Sequence, residues 1–436
     1  MSIEIITLLM FGTLLLLIFS GLGIAWCLGA TAVIFCITMW GPASLPILAQ
    51  RVFDSGNNFI LLACPMFTFM AFCLEESGMA EDLFNALHKW SGKVNGGIAV
   101  ATIFICAILA ACTGITATAT VAMAVIAYPN MMQHGYNSRL GVGVIASSGG
   151  LGILIPPSVP MVLLAMAGGQ SLGQLFIGGT AAGVFIALAF SAYVLILGLV
   201  KPEYCPAATE IYSWKEKIVA LKTLIVPGII IFLVLGLLMI GLTTPTEASA
   251  VGAISSLIYL MSKKKKFNRD AMKRIFHKTT IVTGMAFWIV FGATSFTAVF
   301  NALGSQDLVA NMVTGINISP WAIIAIFCAI LFILGMFLDP IGVIMIAGPV
   351  MTPIVAKIGF NPTWFGVIFI ILIQIGYISP PFGYNLFYMK AAQPHLEMKD
   401  IFAGVLPFIA VMVFSVILMC IFPDIIMWLP KMLAPA

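Results

Sequence analysis

Asp339 is an acid in an otherwise apolar stretch, Gly335-Met336-Phe337-Leu338-Asp339-Pro340. An ionisable group in such a setting is a functional candidate by default, because burying its charge in lipid is costly. It also precedes a proline, where a carboxylate can cap the next helix by accepting its first amides. Three further polar breaks interrupt apolar runs: Cys112-Thr113-Gly114-Ile115-Thr116-Ala117-Thr118; Ser147-Ser148-Gly149-Gly150-Leu151-Gly152 with Pro156-Pro157-Ser158; and Gly376-Tyr377-Ile378-Ser379-Pro380-Pro381. Their hydroxyls and freed carbonyls are oxygen ligands suited to a hard cation. The amide ends of broken helices favour an anion, so the Thr/Ser-rich first break could hold a carboxylate or sulfonate without a buried arginine. Gln374 and Asn385 lie near the last break and could bind substrate or satisfy freed backbone.

Other residue types exclude more than they offer. His88, His134, His277 and His395 have no metal-ligand spacing, and the nine cysteines form neither a CxxC nor a Cys/His cluster. No nucleophile–base pair, HExxH or phosphate loop suggests an enzyme. No cofactor is expected. Glu247, the other acid in an apolar context, reads as a structural hydrogen-bonding residue.

Elements that place these groups must live in lipid. Of 436 residues, 61% are hydrophobic and 8% charged, against about 25% charged in a soluble domain. Apolar runs predict spans near 3–26, 29–49, 58–75, 139–166, 172–200, 218–241, 244–261, 279–302, 361–390 and 399–422, with amphipathic pieces at 79–93 and 305–316. A polar linker is read at 201–216 and a basic loop at 262–278. Nucleic-acid binding is improbable for a basic loop beside so many spans. Runs 97–130 and 320–356 are each too long for one span and break at the centre. Halves of some 14 to 17 residues fall short of the roughly 20 a span requires, so each run reads as a re-entrant hairpin. The N-terminal run lacks a basic flank and reads as a retained span rather than a signal peptide.

The breaks recur. Gly135, Asn137, Gly152, Pro156 and Pro157 match Gly359, Asn361, Gly376, Pro380 and Pro381, each offset by 224. Phe176 and Gly178 match Phe402 and Gly404, and Gly78 matches Gly304, at 226. This is a duplication. Five crossings per half would invert the second copy. All Lys and Arg except Arg51, Lys357 and Lys431 then fall on one side, which the positive-inside rule makes cytoplasmic, with both termini outside. Arg139 reads as a cytoplasmic anchor on that side. The fold expected is an all-α polytopic membrane protein of two inverted repeats, about ten full spans plus two re-entrant helical hairpins. Inverted repeats with paired broken helices indicate a secondary transporter.

The run Gly150-Leu151-Gly152-Ile153-Leu154-Ile155-Pro156-Pro157-Ser158 resembles the large permease subunit of TRAP (tripartite ATP-independent periplasmic) transporters. Thr244-Pro245-Thr246-Glu247-Ala248-Ser249-Ala250-Val251-Gly252-Ala253, Phe337-Leu338-Asp339-Pro340 and Ser379-Pro380-Pro381-Phe382-Gly383-Tyr384-Asn385-Leu386-Phe387 are similar to further motifs of that family, and the resemblance spans essentially the whole chain. It implies an elevator mechanism. Residues 1–94 and 201–318 would form a fixed scaffold, residues 95–200 and 319–436 a moving transport domain, and the pieces 79–93 and 305–316 its arms. With the repeat, it implies one sodium site from Thr113, Gly114, Thr116 and Thr118 with Ser147, Ser148, Gly149, Gly150 and Gly152. A second would join Gly335, Asp339 and Pro340 to Gly376, Ser379 and Pro381. Thr116, Thr118, Pro157, Ser158, Pro381 and Asn385 are the substrate candidates. The function implied is sodium-coupled uptake of a small organic anion, a carboxylate or sulfonate, across the bacterial inner membrane. The partners implied are a small four-helix membrane subunit, expected as a separate polypeptide, and a soluble periplasmic substrate-binding protein. A stand-alone cation-coupled carboxylate transporter of related architecture is the alternative.

Overall fold

The computed structural model describes residues 2–92, 94–208, 212–263, 266–315, 318–380 and 383–433. It is helical throughout, with no strand among the described residues. The helices are α1 Ile3–Phe19, α2 Ile24–Trp40, α3 Leu45–Gly56, α4 Ala63–Ser77, α5 Met79–His88, α6 Gly97–Thr113, α7 Thr116–Gln133, α8 Ser138–Gly149, α9 Val159–Gly168, α10 Leu172–Val200 and α11 Trp214–Leu221. They continue as α12 Ile225–Ile231, α13 Leu237–Met239, α14 Pro245–Ser262, α15 Arg269–Ala302, α16 Ser305–Gly315, α17 Pro320–Phe337, α18 Pro340–Lys357, α19 Pro362–Tyr377, α20 Tyr384–Ala392, α21 Met398–Ile421 and α22 Asp424–Leu433. Among the described residues, seven helices are long and apolar enough to cross a membrane. Large apolar side chains such as Leu8, Leu16, Phe19 and Leu199 remain exposed on the outside of the bundle, as expected where lipid is the solvent.

Several boundaries differ from the sequence reading. Residues 29–49 are not one span: Gly41, at φ +79°, and Pro42 end α2 and start a separate amphipathic α3. Proline cannot continue the preceding helix hydrogen bonds. The first span stops at Phe19, where Gly21 turns the chain at φ +83°. The basic segment is helical from Arg269, because the Asn268 side chain accepts the Ala271 amide at 2.8 Å and caps α15. Helix α11 enters what was read as linker, started by a reciprocal Ser213–Glu216 capping box. A terminal amphipathic helix, α22, follows the last span.

Both hairpins are present, but their halves run 17 and 18 residues (α6, α7) and 18 and 18 residues (α17, α18), roughly 26 Å at 1.5 Å per residue. Length therefore does not make them re-entrant. Where their tips end does. Gly114 lies against Pro157, and Gly335 against Gly376, each at the middle of a broken span, so the tips stop halfway along it.

The two copies are related by a two-fold exchange. Arg139 of α8 pairs with Asp400 of α21 at 2.9 Å, while their counterparts Thr363 of α19 and Gln174 of α10 are hydrogen-bonded at 3.1 Å. Gly143 abuts Gly404, and the counterparts Gly178 and Val367 abut in turn. Gly150 faces Gln374, its own counterpart, which places the axis there. Helix α21 fixes the sense of the exchange. Asp400 at its start touches the start of α8, whereas Met419 near its end accepts the Trp364 indole N–H at 3.0 Å, at the start of α19. The two broken spans thus enter from opposite ends of α21, about 28 Å apart at 1.5 Å per residue. The repeats are inverted. The left-handed glycines Gly78 (φ +75°) and Gly304 (φ +76°), which redirect the chain into α5 and α16, are equivalent positions.

Helices α2, α3, α4, α14 and α15 pack on one another, and α6 to α10 pack on α17 to α22. Contacts between these groups run mainly through α4, α5 and α15. Helix α5 is tied to α14 by Asp82, which pairs with Lys263 at 2.6 Å. Helix α16 is tied to α1 by the Thr7–Ser305 hydroxyl contact at 2.8 Å, and its Asn311 accepts from Lys357 at the end of α18 at 3.3 Å.

Candidate functional site

Each broken span is open at its centre because its sequence denies helix bonds there. In the first, Pro156, Pro157 and Pro160 bring no amide hydrogen, so the carbonyls one turn earlier lose their donors. Ser158 restarts the helix, accepting the Met161 amide at 3.4 Å and donating to Ile153 O at 2.6 Å. The hairpin tip seats in this gap through glycine. Gly114 sits at φ +62°, and a Cβ there would lie 1.7 Å from Pro157 O; a Cβ at Gly152 would lie 2.9 Å from Thr116 N. Thr113, Gly114, Thr116 and Gly152 are therefore brought together with the break. Gly149 lies against Thr120 on the same hairpin.

The second break repeats the geometry. A Cβ at Gly376 would lie 2.5 Å from Gly335 C, so the two glycine backbones touch. Asp339 opens α18 as its cap: its Oδ2 accepts the amides of Ile341 at 3.1 Å and Gly342 at 3.3 Å. The equivalent position in the first tip is Ile115, and no side chain caps α7. One tip thus carries a fixed carboxylate, and the other presents an uncapped amide end.

Thr113, Ser158 and Ser379 donate to carbonyls of their own segments at 2.6–2.7 Å, and Ser148 donates to Val144 O. Their protons are committed to these carbonyls, and the Ser158 oxygen also accepts the Met161 amide. Ser147 and Gln374 are fully buried with side-chain atoms that lack a hydrogen-bond partner among the described residues, and Gly150 lies against Gln374.

Both tips open on one cavity of about 1240 Å³, between α1, α2, α4 and α15 on one side and the hairpins on the other. Thr116, Thr118, Asp339 and Pro340 line it, with Tyr377, Tyr384 and Tyr388 beside Asp339 and Glu75 and Lys278 opposite. Of the substrate candidates among the described residues, only Thr116 and Thr118 reach it. Pro157 and Ser158 lie behind the first tip, where Gly114 covers them. Asn385 is buried and already engaged: its Oδ1 accepts from Thr120 at 2.8 Å and its amide nitrogen donates to Ala146 O, binding the second copy to the first. Pro381 lies outside the described residues. Thr118 turns away from the broken span to donate to Glu75 at 3.3 Å, so it does not join the first break.

Sequence reasoning missed Glu75 and Lys278. It placed Lys278 in a loop, although Arg274 and Lys278, four residues apart, face Glu76 and Glu75 across the helix pair at 2.8 and 2.6 Å. That i, i+4 spacing opposite two adjacent acids was the available signal. Arg139 pairs with Asp400, as already described, so the anchor is an interhelical tie. Glu247 completes a capping box with Thr244: it accepts the Thr244 amide at 2.7 Å while Thr244 Oγ1 accepts its own at 3.3 Å. This gives the Thr-Pro-Thr-Glu run a structural reason.

A family model described as "Tripartite ATP-independent periplasmic transporter, DctM component" matches residues 11–425. The C4-dicarboxylate TRAP transporter large permease protein DctM of Pseudomonas aeruginosa is 29% identical over 91% of this chain and 92% of its own. The ectoine TRAP transporter large permease protein TeaC of Halomonas elongata is 28% identical over 97% and 98%. The isethionate TRAP transporter permease protein DctMQ of Oleidesulfovibrio alaskensis is 28% identical over 96% of this chain but 65% of its own. The crystal structure of the Alcanivorax borkumensis YdaH transporter superposes with a TM-score of 0.66 at 13% identity, covering 96% of this chain and 98% of that one. By this match over nearly its full length, the chain belongs to the tripartite ATP-independent periplasmic transporter family as its large permease component, a multi-pass membrane transport protein and not an enzyme.

Proposed function

We propose that this chain carries a small organic anion, a carboxylate or sulfonate, across the bacterial inner membrane, coupled to sodium and by an elevator motion. Residues 95–200 and 319–436 form the moving body, and residues 1–94 and 201–318 stay fixed. The basic loops face the cytoplasm and both termini face the periplasm. A small four-helix membrane subunit and a soluble periplasmic substrate-binding protein complete the system. One observation carries this reading: two inverted copies of a hairpin tip, each seated in a broken span, open on a single cavity between the two helix groups. The oxygen-rich breaks supply sodium ligands. Thr113, Gly114, Thr116, Ser147, Ser148, Gly150 and Gly152 serve one site, and Gly335, Asp339, Gly376 and Ser379 the other. The uncapped end of α7 supplies the anion's donors. Relatives named for C4-dicarboxylates, isethionate and 2,3-diketo-L-gulonate support an organic acid as cargo.

The test is uptake into proteoliposomes holding this chain with its small membrane partner. The capture protein's cargo is first identified by thermal-shift screening against organic acids. Uptake is expected only with the capture protein and an inward sodium gradient. Uptake that survives collapse of the gradient would remove the coupling. Uptake by the chain alone would remove the partners.

A further inference from the structure

The cavity between the helix groups already contains a bound carboxylate, and it belongs to the protein. Glu75, near the end of α4, extends into the space. Its Oε1 receives Lys278 Nζ of α15 at 2.6 Å, and its Oε2 receives the Thr118 hydroxyl of the first hairpin tip at 3.3 Å. The neighbouring Glu76–Arg274 fork, two contacts of 2.8 Å, fixes α4 to α15 and so aims Glu75 and Lys278 at the tip. A lysine from one helix group and a hydroxyl from the other thus straddle one carboxylate. Both Glu75 and Lys278 are partly exposed, at 34% and 42% of the side chain, so solutes can reach them. Thr118 sits in the first turn of α7, whose start no side chain caps.

From this geometry we infer that Lys278 and Thr118 form a carboxylate-binding position for the transported anion, and that Glu75 occupies it when cargo is absent. The inference deepens the anion-uptake reading and rests on it. Cargo arriving at the tip takes Glu75's place between lysine and hydroxyl, because two carboxylates at about 4 Å repel each other. Displacement of Glu75 also breaks the Thr118 contact that holds the tip to α4. The same exchange therefore selects an anion, and it replaces the direct contact between α4 and the hairpin by one through the cargo. Lys278 is a binding residue in this scheme, and Glu75 is a built-in competitor.

The experiment uses the chain with its small membrane partner in detergent, with sodium held constant and acetate as the probe against chloride. Glu75→Ala vacates the position while leaving Lys278 and Thr118 in place. Acetate is expected to raise the melting midpoint of Glu75→Ala at a concentration about tenfold lower than in the parent protein, the repulsion from Glu75 having gone. Chloride should not, and the Glu75→Ala/Lys278→Met double variant should not respond. Equal responses to acetate and chloride in Glu75→Ala would overturn the assignment. So would an acetate response that persists in the double variant. In proteoliposomes with the capture protein and its cargo, Lys278→Met should lower kcat/KM at least tenfold and Lys278→Arg should retain most of it. Undiminished uptake by Lys278→Met would overturn the assignment. Loss of uptake in the unmodified protein measured in parallel would instead strike the transport reading itself.

Discussion

The seat of the first hairpin can be probed by adding one carbon at Gly114. This glycine has φ +62°, and an alanine Cβ would lie 1.7 Å from Pro157 O, an overlap with rigid backbone that no rotamer relieves. Two costs combine. A non-glycine residue in the left-handed region costs roughly 1–2 kcal/mol, and forcing a methyl into a filled contact costs typically about 1–3 kcal/mol more. Gly169 separates them. It has φ +63° in the same helix group, but a Cβ there meets nothing within 4 Å, so Gly169→Ala carries only the backbone cost. The difference between the two variants, about 1–3 kcal/mol, measures the tip's contact with the break and corresponds to roughly a 5- to 150-fold change in an equilibrium. If sodium binds where tip and break meet, the apparent sodium affinity should fall by that factor in Gly114→Ala and hardly change in Gly169→Ala. The assay is the sodium concentration needed for half-maximal thermal stabilisation of the purified chain, repeated for sodium-driven uptake. Equal sodium dependence in the two variants would refute the placement of an ion at this junction.

Three further perturbations separate structural from transport roles. Asp339→Asn keeps a good helix cap but removes the charge, so normal assembly with at least a tenfold weaker sodium dependence is expected; unchanged uptake would leave the carboxylate only its capping role. Asn385→Leu strips the partners from Thr120 Oγ1 and Ala146 O, each about 1–3 kcal/mol when left buried and unpaired. The detergent melting midpoint should therefore drop markedly, and a midpoint equal to the parent's would show that the link between copies is dispensable. Glu247→Ala breaks the α14 capping box at about 1 kcal/mol, with sodium dependence intact; loss of uptake at normal abundance and unchanged sodium binding would give Glu247 a transport role.

Much of this architecture was legible because membrane and repeat constrain the chain so tightly. The apolar runs set the helices, and the paired prolines at 156–157 and 380–381 marked breaks that fall inside buried spans. The repeat extends to contacts that only the structure shows: Arg139–Asp400 and Thr363–Gln174 are equivalent pairs joined by different chemistry, an ion pair in one and a neutral hydrogen bond in the other. What stayed hidden depended on turns and on partners far apart in sequence. Gly41-Pro42 lies between equally apolar segments, so hydropathy ran across it. Asn385 looked like a site residue because a polar side chain near a break looks the same whether it faces cargo or another helix; its partners are Thr120 and Ala146, in the other copy. Lys278 was hidden by its company, since a run of basic residues reads as loop even where a helix carries it.

Duplication preserved the frame of the two sites and let their chemistry part. Gly114–Pro157 and Gly335–Gly376 perform the same task, bringing backbone to backbone so that a tip closes a broken span. At the next positions the copies diverge: Ile115 leaves the α7 amides uncapped, whereas Asp339 spends its carboxylate on those of α18. A cation is favoured where a carboxylate is already present, and an anion where bare amide dipoles converge. The two tips line the same cavity, so one pocket has an end suited to each sign of charge. The co-transport proposed above would need both in one moving body, since an ion and an anion that neutralise each other can leave water together at a lower cost than either alone. On that proposal the asymmetry at positions 115 and 339 would convert two copies of an ion-binding frame into a coupled site. Ile115→Asp, which caps α7 and makes the tips alike, should therefore weaken anion binding at the purified complex while sodium still stabilises it. If anion binding is undiminished in that variant, the free amide end is not where the anion sits.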